Sequence, residues 1–177
     1  MPEIIKTYKE NLPSLRLIGK RYVNSDRDEC GGYGAKWGEW FQKGWFEELE
    51  KLGIAKNIEG GYLGFMRCDG TRTEDGFEYW IGIFFPVGTD VPDGYEFLDV
   101  SAGSVGVCWI KGKDDDGSIY GMHQQCIEAL KENNMGDFFY YEDKKYLYSF
   151  ERYNCPRFTE KDEQGNVILD YGIYLSE

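Results

Sequence analysis

The feature that most restricts the fold is an internal duplication. Hydrophobic periodicity divides the chain into strand, helix, strand, strand, and then repeats that order. The first set covers residues 16–23, 37–52, 62–68 and 77–85. The second covers 97–111, read as one strand or as two joined by a bend near 101–104, then 119–132, 145–154 and 167–175. The closing strands also agree in sequence, since Ile81-Gly82-Ile83-Phe84 parallels Tyr171-Gly172-Ile173-Tyr174. A repeated unit of this size buries its apolar face against its neighbour rather than alone. Residues 86–94 hold two prolines and two glycines and join the sets without regular structure. The halves, about 1–86 and 95–177, are therefore expected to make one domain over 1–177, because neither half has enough core by itself.

Both helix assignments rest on apolar stripes. Trp37, Trp40, Phe41, Gly44, Trp45, Leu49 and Leu52 fall on one face of the first. Gly44 costs about 1 kcal/mol of helix propensity there, which suggests a point of close packing on the sheet. Ile119, Met122, His123, Cys126, Ile127 and Leu130 form the second stripe. Ser118 is the expected N-cap, with Asp114, Asp115 and Asp116 suited to the positive end of the helix.

Rings are abundant: 14 Tyr, 11 Phe and 5 Trp make 17% of the 177 residues. One core cannot absorb them all, so some should line a cavity or groove. The net charge of −12 argues against nucleic acid as a partner. It suits cationic ligands slightly better, although solubility alone accounts for it. Five scattered cysteines without a Cys-x-x-Cys pair read as reduced, mostly buried thiols of a cytoplasmic protein. The N-terminus lacks a signal pattern, and no apolar run is long enough to span a bilayer.

Several chemistries are disfavoured by spacing. His123 is the single histidine, placed on an apolar helix stripe, and reads as a packed side chain. Without a cysteine cluster a zinc site is not expected. Asp114-Asp115-Asp116-Gly117 fails as a calcium loop, because the first and last ligand positions would be Gly112 and His123. Residues 59–64 are glycine-rich but lack the Lys-Ser/Thr of a phosphate loop, and no Gly-x-Ser-x-Gly nucleophile motif occurs. No metal and no cofactor is expected.

Glu151 is the principal site candidate. It lies in Tyr146-Leu147-Tyr148-Ser149-Phe150-Glu151-Arg152-Tyr153, and alternation puts it on one face with Leu147, Ser149 and Tyr153. A carboxylate among rings is costly to bury without compensation. It is either an exposed strand residue, an ion-pair partner of Arg152 or Arg157, or the charged end of a pocket for a cationic or polar aromatic guest. Tyr153 shares its face, and Tyr171 lies on the closing strand. Each divides between sheet packing and ligand contact. Trp37, Trp40 and Trp109 divide between core and pocket, the first two because the Gly31-Gly32-Tyr33-Gly34 loop lets the start of the helix tip toward a cavity mouth.

Residues 82–113 and the segment Ser149-Phe150-Glu151-Arg152-Tyr153-Asn154-Cys155-Pro156 resemble the GyrI-like small-molecule-binding domain family, together with the order of elements. Related domains form the effector-binding part of multidrug-responsive transcription regulators. The resemblance implies an α+β fold: duplicated β-α-β-β units in a curved antiparallel sheet, two main helices, and a central ligand cleft about a pseudo-two-fold axis. It places Glu151 at the base of an aromatic-walled cavity, with Tyr171 near a position of ligand contact. It implies an amphipathic aromatic small molecule, preferably cationic, as the partner. No helix-turn-helix or basic stretch is seen, so direct nucleic-acid binding and membrane binding are not expected. Some stand-alone members are hydrolases of reactive aromatic compounds, which makes Glu151 as general base or polarising group the enzymatic alternative. A third class is a module that binds a protein partner through its acidic exterior.

Overall fold

A computed structural model describes residues 1–69, 76–138 and 146–176. Among them are eight strands: β1 (Glu3–Leu12), β2 (Leu15–Val23), β3 (Tyr62–Asp69), β4 (Phe77–Pro86), β5 (Glu96–Val100), β6 (Gly103–Gly112), β7 (Tyr146–Tyr153) and β8 (Val167–Tyr174). The helices are α1 (Gly34–Lys43), α2 (Trp45–Glu50) and α3 (His123–Glu132). All strands join one antiparallel sheet in the order β1-β6-β8-β7-β3-β4-β2-β5. The order is symmetric about the β7/β3 seam, so β2, β3 and β4 match β6, β7 and β8.

Chain connectivity forces the sheet to curl. β1 and β2 stand first and seventh in the order, about 29 Å apart if the sheet were flat. Only Pro13 and Ser14 connect them, a reach of about 10 Å. The same constraint applies to β5 and β6, which Ser101 and Ala102 connect. Where the two connections meet, the Ala102 N–H donates to Ser14 Oγ (3.1 Å) and the Ser104 hydroxyl to Asn11 Oδ1 (2.8 Å).

Curling explains two buried faces. One is covered by helices: Ile18, Ile81, Ile83, Cys108, Leu169 and Ile173 pack with Trp40, Phe46 and Leu49 of α1 and α2 and with Cys126 and Leu130 of α3. The other has no helix residue in its cluster, yet Leu17, Phe65, Val105, Val107 and Phe150 are fully buried, because the curled sheet wraps around them. That inner face also holds charge. Arg152, 1% exposed, donates to Asp170 (2.9 Å) on β8 and through both terminal nitrogens to Glu10 (3.0 and 3.1 Å) on β1. Arg157 Nη2 reaches the same Asp170 carboxylate at 2.6 Å.

The α+β fold with its curved antiparallel sheet is the one expected, with some local corrections. β1 was not anticipated: it is a bulged edge strand whose many charges obscure alternation. The helix expected over 37–52 breaks at Gly44, which takes φ +68°. That glycine supplies a left-handed turn between α1 and α2, not a packing contact. The helix expected over 119–132 begins as a 3-10 turn at Ser118–Gly121, and α3 starts only at His123. Ser118 caps nothing; its N–H (2.9 Å) and hydroxyl (2.6 Å) both donate to Asp116. The 97–111 segment resolves into β5 and β6 about Ser101-Ala102. Lys145, the first residue of the strand expected over 145–154, lies outside the described residues. Of the five thiols only Cys108 and Cys126 are buried, and Cys30 and Cys155 are exposed.

Candidate functional site

The register of the two central strands determines where Glu151 sits. Gly82 of β4 pairs with Leu63, and Gly172 of β8 pairs with Phe150. The repeated glycines therefore make Gly64 and Glu151 equivalent positions of the two halves. These two residues are also direct neighbours across the β3/β7 seam. The pseudo-axis thus passes between a glycine and a glutamate, and the symmetry is broken at its centre. A Cβ at position 64 would collide with the Tyr79 hydroxyl and press on Trp37. The first half supplies room there, and the second supplies charge.

Above this seam, on the helix side, lies a cavity of about 800 Å³. Tyr33, Trp37, Phe77 and Tyr79 come from the first half, and Tyr120, His123, Tyr153 and Phe158 from the second. The rings are fixed by one another. Tyr33 stacks on Tyr79 with centroids 4.2 Å apart and planes at 5°. Trp37 Nε1 donates to the Tyr79 hydroxyl at 2.9 Å, and its ring meets Tyr153 at 4.7 Å. The loop before α1 is held by Asp28, whose carboxylate accepts N–H bonds from Cys30 (3.0 Å), Gly32 (3.1 Å) and Ala35 (3.4 Å). These backbone donors, that of Gly32 foremost, hold the Asp28 carboxyl below the usual carboxylate range.

Glu151 is 6% exposed. The Tyr153 hydroxyl donates to it at 3.4 Å, a long hydrogen bond. Among the described residues the only basic group within 4.0 Å is His123, with Nε2 at 3.8 Å from Oε2. Arg152 and Arg157 are engaged elsewhere, by Asp170, Glu10 and Glu59. The burial cost of this carboxylate is thus lightly offset by the protein. Burial, then the Glu151 charge, pushes the Tyr79 and Tyr153 hydroxyls well above the ordinary tyrosine range. Tyr120 is pushed up to about 12, by burial and then by Asp114 and Glu151. All three remain neutral hydroxyls at physiological pH.

Of the residues expected at a site, Glu151, Tyr153 and Trp37 line the cavity. Tyr171 lies just behind its wall: it is 4% exposed, adjacent to Glu151 in the sheet, and stacked on the His123 ring at 4.4 Å. Trp40 and Trp109 do not reach the cavity. Trp40 is fully buried beneath α1 and donates to the Tyr22 hydroxyl at 3.0 Å. Trp109 belongs to the inner face, where it donates to the Tyr8 hydroxyl at 3.2 Å and carries Lys6 and Arg157 over its ring, each at 4.4 Å. Tyr33, Tyr79, Tyr120 and His123 were missed. Alternation along Tyr79, Ile81 and Ile83 carries the signal for Tyr79. His123 became visible only once α3 was seen to start late.

No protein-family model and no curated protein sequence matches the chain. Solved structures do. A bacterial transcription regulation protein of Staphylococcus aureus MU50 aligns over 98% of this chain and 99% of its own, at 16% identity and TM-score 0.65. The protein SAV2435, solved with tetraphenylphosphonium bound, aligns over 97% and 94%, at 16% identity and TM-score 0.67. The C-terminal domain of EcmrR aligns over 96% of both chains, at 13% identity and TM-score 0.55. At these identities the likeness is one of fold.

Proposed function

We propose that the chain is a GyrI-like domain that binds amphipathic aromatic cations, sensing or sequestering toxic or drug-like compounds in the cytoplasm. The observation that carries this reading is the buried Glu151 carboxylate at the floor of an aromatic cavity, with no lysine or arginine among the described residues within 4.0 Å. A cavity of about 800 Å³ falls within the roughly 300–1,000 Å³ of drug-sized ligand sites. Ring faces and a desolvated anion together favour a delocalised cation. Glu151 would supply the charge, with Tyr153, Trp37, Tyr33 and Tyr79 as ring surfaces and Tyr171 supporting from behind. The ligand bound to SAV2435, a protein of the same fold, is a cation of this class. Among the described residues no helix is long and apolar enough to cross a membrane.

The test is titration of tetraphenylphosphonium into wild type and Glu151→Gln, followed by tryptophan fluorescence. Glu151→Gln should weaken binding about tenfold, about 1.4 kcal/mol. Equal affinity for the two proteins would remove Glu151 from its role. No binding to wild type would move protein partners to the front. The convergence of Glu151, His123 and the Tyr153 hydroxyl on one cavity also favours a hydrolase of electrophilic aromatic compounds as a second reading. Turnover of an activated aryl ester by wild type and not by Glu151→Gln would select it.

A further inference from the structure

The His123 side chain is 32% exposed, but its Nε2 atom is buried and has no hydrogen-bond partner among the described residues. It stands 3.8 Å from Glu151 Oε2, and the ring is held flat against Tyr171, 4.4 Å between centroids with planes at 20°. That distance is too long for a hydrogen bond. It is short enough for the charge of the imidazole to decide the net charge of the cavity floor. Histidine is the side chain whose charge changes between about pH 5 and 8.

The other titratable groups around this pair do not change charge in that range. Tyr171 from β8, Tyr153 from β7 and Tyr79 from β4 are pushed up by burial, and Tyr120 from the 3-10 turn is pushed up to about 12. Cys126, one turn further along α3, is raised as well, by its contact with Cys108 and by burial. Asp114, which acts on Tyr120, is paired with Lys161 at 3.0 Å. Arg27, the other basic residue lining the cavity, stands over the rings of Tyr33 (4.9 Å) and Phe77 (5.0 Å). Among the described residues this leaves Glu151 and His123 facing each other at the floor.

We propose that His123 is the resident counter-cation of Glu151, and that an aromatic cation binds by displacing the proton from His123 to solvent. This rests on the reading of the cavity as a cation site. The sign follows from linkage. A proton on His123 favours the empty site, because it neutralises Glu151, and opposes a bound cation. Affinity is therefore full where the imidazole is neutral and falls as a drop in pH puts the proton on it. One exchanged proton limits the fall to about tenfold per pH unit.

The experiment is calorimetric titration of tetraphenylphosphonium, whose own charge is fixed, at about pH 6.5, where histidines titrate. Two buffers of different ionisation enthalpy report the protons released. Wild type should release a fraction of one proton, and His123→Phe and His123→Asn none, with affinities indifferent to pH. Because the chain has one histidine, its imidazole resonance is unambiguous by NMR. In wild type its midpoint should move to lower pH when tetraphenylphosphonium is added. Binding without proton release, or release that persists in His123→Phe and so comes from Glu151, overturns this inference and leaves the cation site standing. Absence of binding at every pH overturns both.

Discussion

Asp170→Asn is expected to be among the most damaging near-isosteric changes in the molecule. The carboxylate is fully buried and accepts from Arg152 Nε at 2.9 Å and from Arg157 Nη2 and Nε at 2.6 and 3.2 Å. Asparagine removes the charge and turns an amide NH2 toward guanidinium donors. Arg152 would remain buried with only Glu10 as its counter-ion. Breaking a buried pair by removing one partner costs about 3–5 kcal/mol. The paired contacts that Glu10 keeps put this case at the lower end, about 3 kcal/mol. With a urea m-value of about 2 kcal/mol per M, the midpoint should fall by about 1.5 M. Asp99→Asn is the control, because Asp99 pairs with Arg16 at 2.7 Å but its side chain is 50% exposed. That surface pair should be worth under about 1 kcal/mol. If Asp170→Asn lowers the midpoint no more than Asp99→Asn does, the account of the inner face as held by a buried ionic centre is wrong.

Gly64→Ala should reshape the cavity by displacing Tyr79 and Trp37, weakening tetraphenylphosphonium binding at least about tenfold while the far-ultraviolet circular dichroism is unchanged; unaltered affinity would refute the part assigned to this glycine. Asp28 has a lowered folded pKa, so its hold on the loop before α1 is present above the ordinary carboxylate range and is lost as pH falls through the lowered value. Amide exchange at Gly32 and Ala35 should lose protection on acidification in wild type and already be unprotected in Asp28→Ala. Tyr79 and Tyr153 have raised folded pKa values, so the stability they contribute is complete below about pH 10 and is lost as pH rises. Absorbance at the tyrosinate band should show a class that ionises only as the protein unfolds, and ionisation of all 14 tyrosines with native near-ultraviolet dichroism intact would contradict this.

The legible parts of this chain are those where a local pattern and the tertiary outcome agree. The apolar runs of β4 and β8, with their shared glycine, announced the duplication and the centre of the sheet. Alternation alone put Glu151 on the same face as Ser149 and Tyr153. The failures have physical causes. β1 carries Lys6, Lys9 and Glu10 among its apolar residues, and Glu10 is there to meet an arginine three strands away in sheet order. Nothing local encodes that meeting. Trp109, on one strand face with Val105 and Val107, divides between core and pocket as Trp37 does, and only the face it takes in the folded sheet separates a cavity ring from one beneath Arg157. His123 does pack, against Tyr171, but the stripe that starts at Ile119 does not show that its Nε2 faces Glu151, because α3 begins only at His123.

The connection of the edge strands has a consequence for how such a molecule is put together. β1 runs directly into β2 yet pairs with β6 of the other half, and β5 runs into β6 yet pairs with β2. A chain of half this length could cover its edge only by lending that strand to a second copy and borrowing one back, which is the arrangement of a domain-swapped dimer. Here the two halves lie in one chain, and the exchange of edge strands is intramolecular. Severed within residues 87–94, the two pieces become obligate complements. Each carries the strand that closes the other, so folded protein should be recovered when they are produced together and not when either is produced alone.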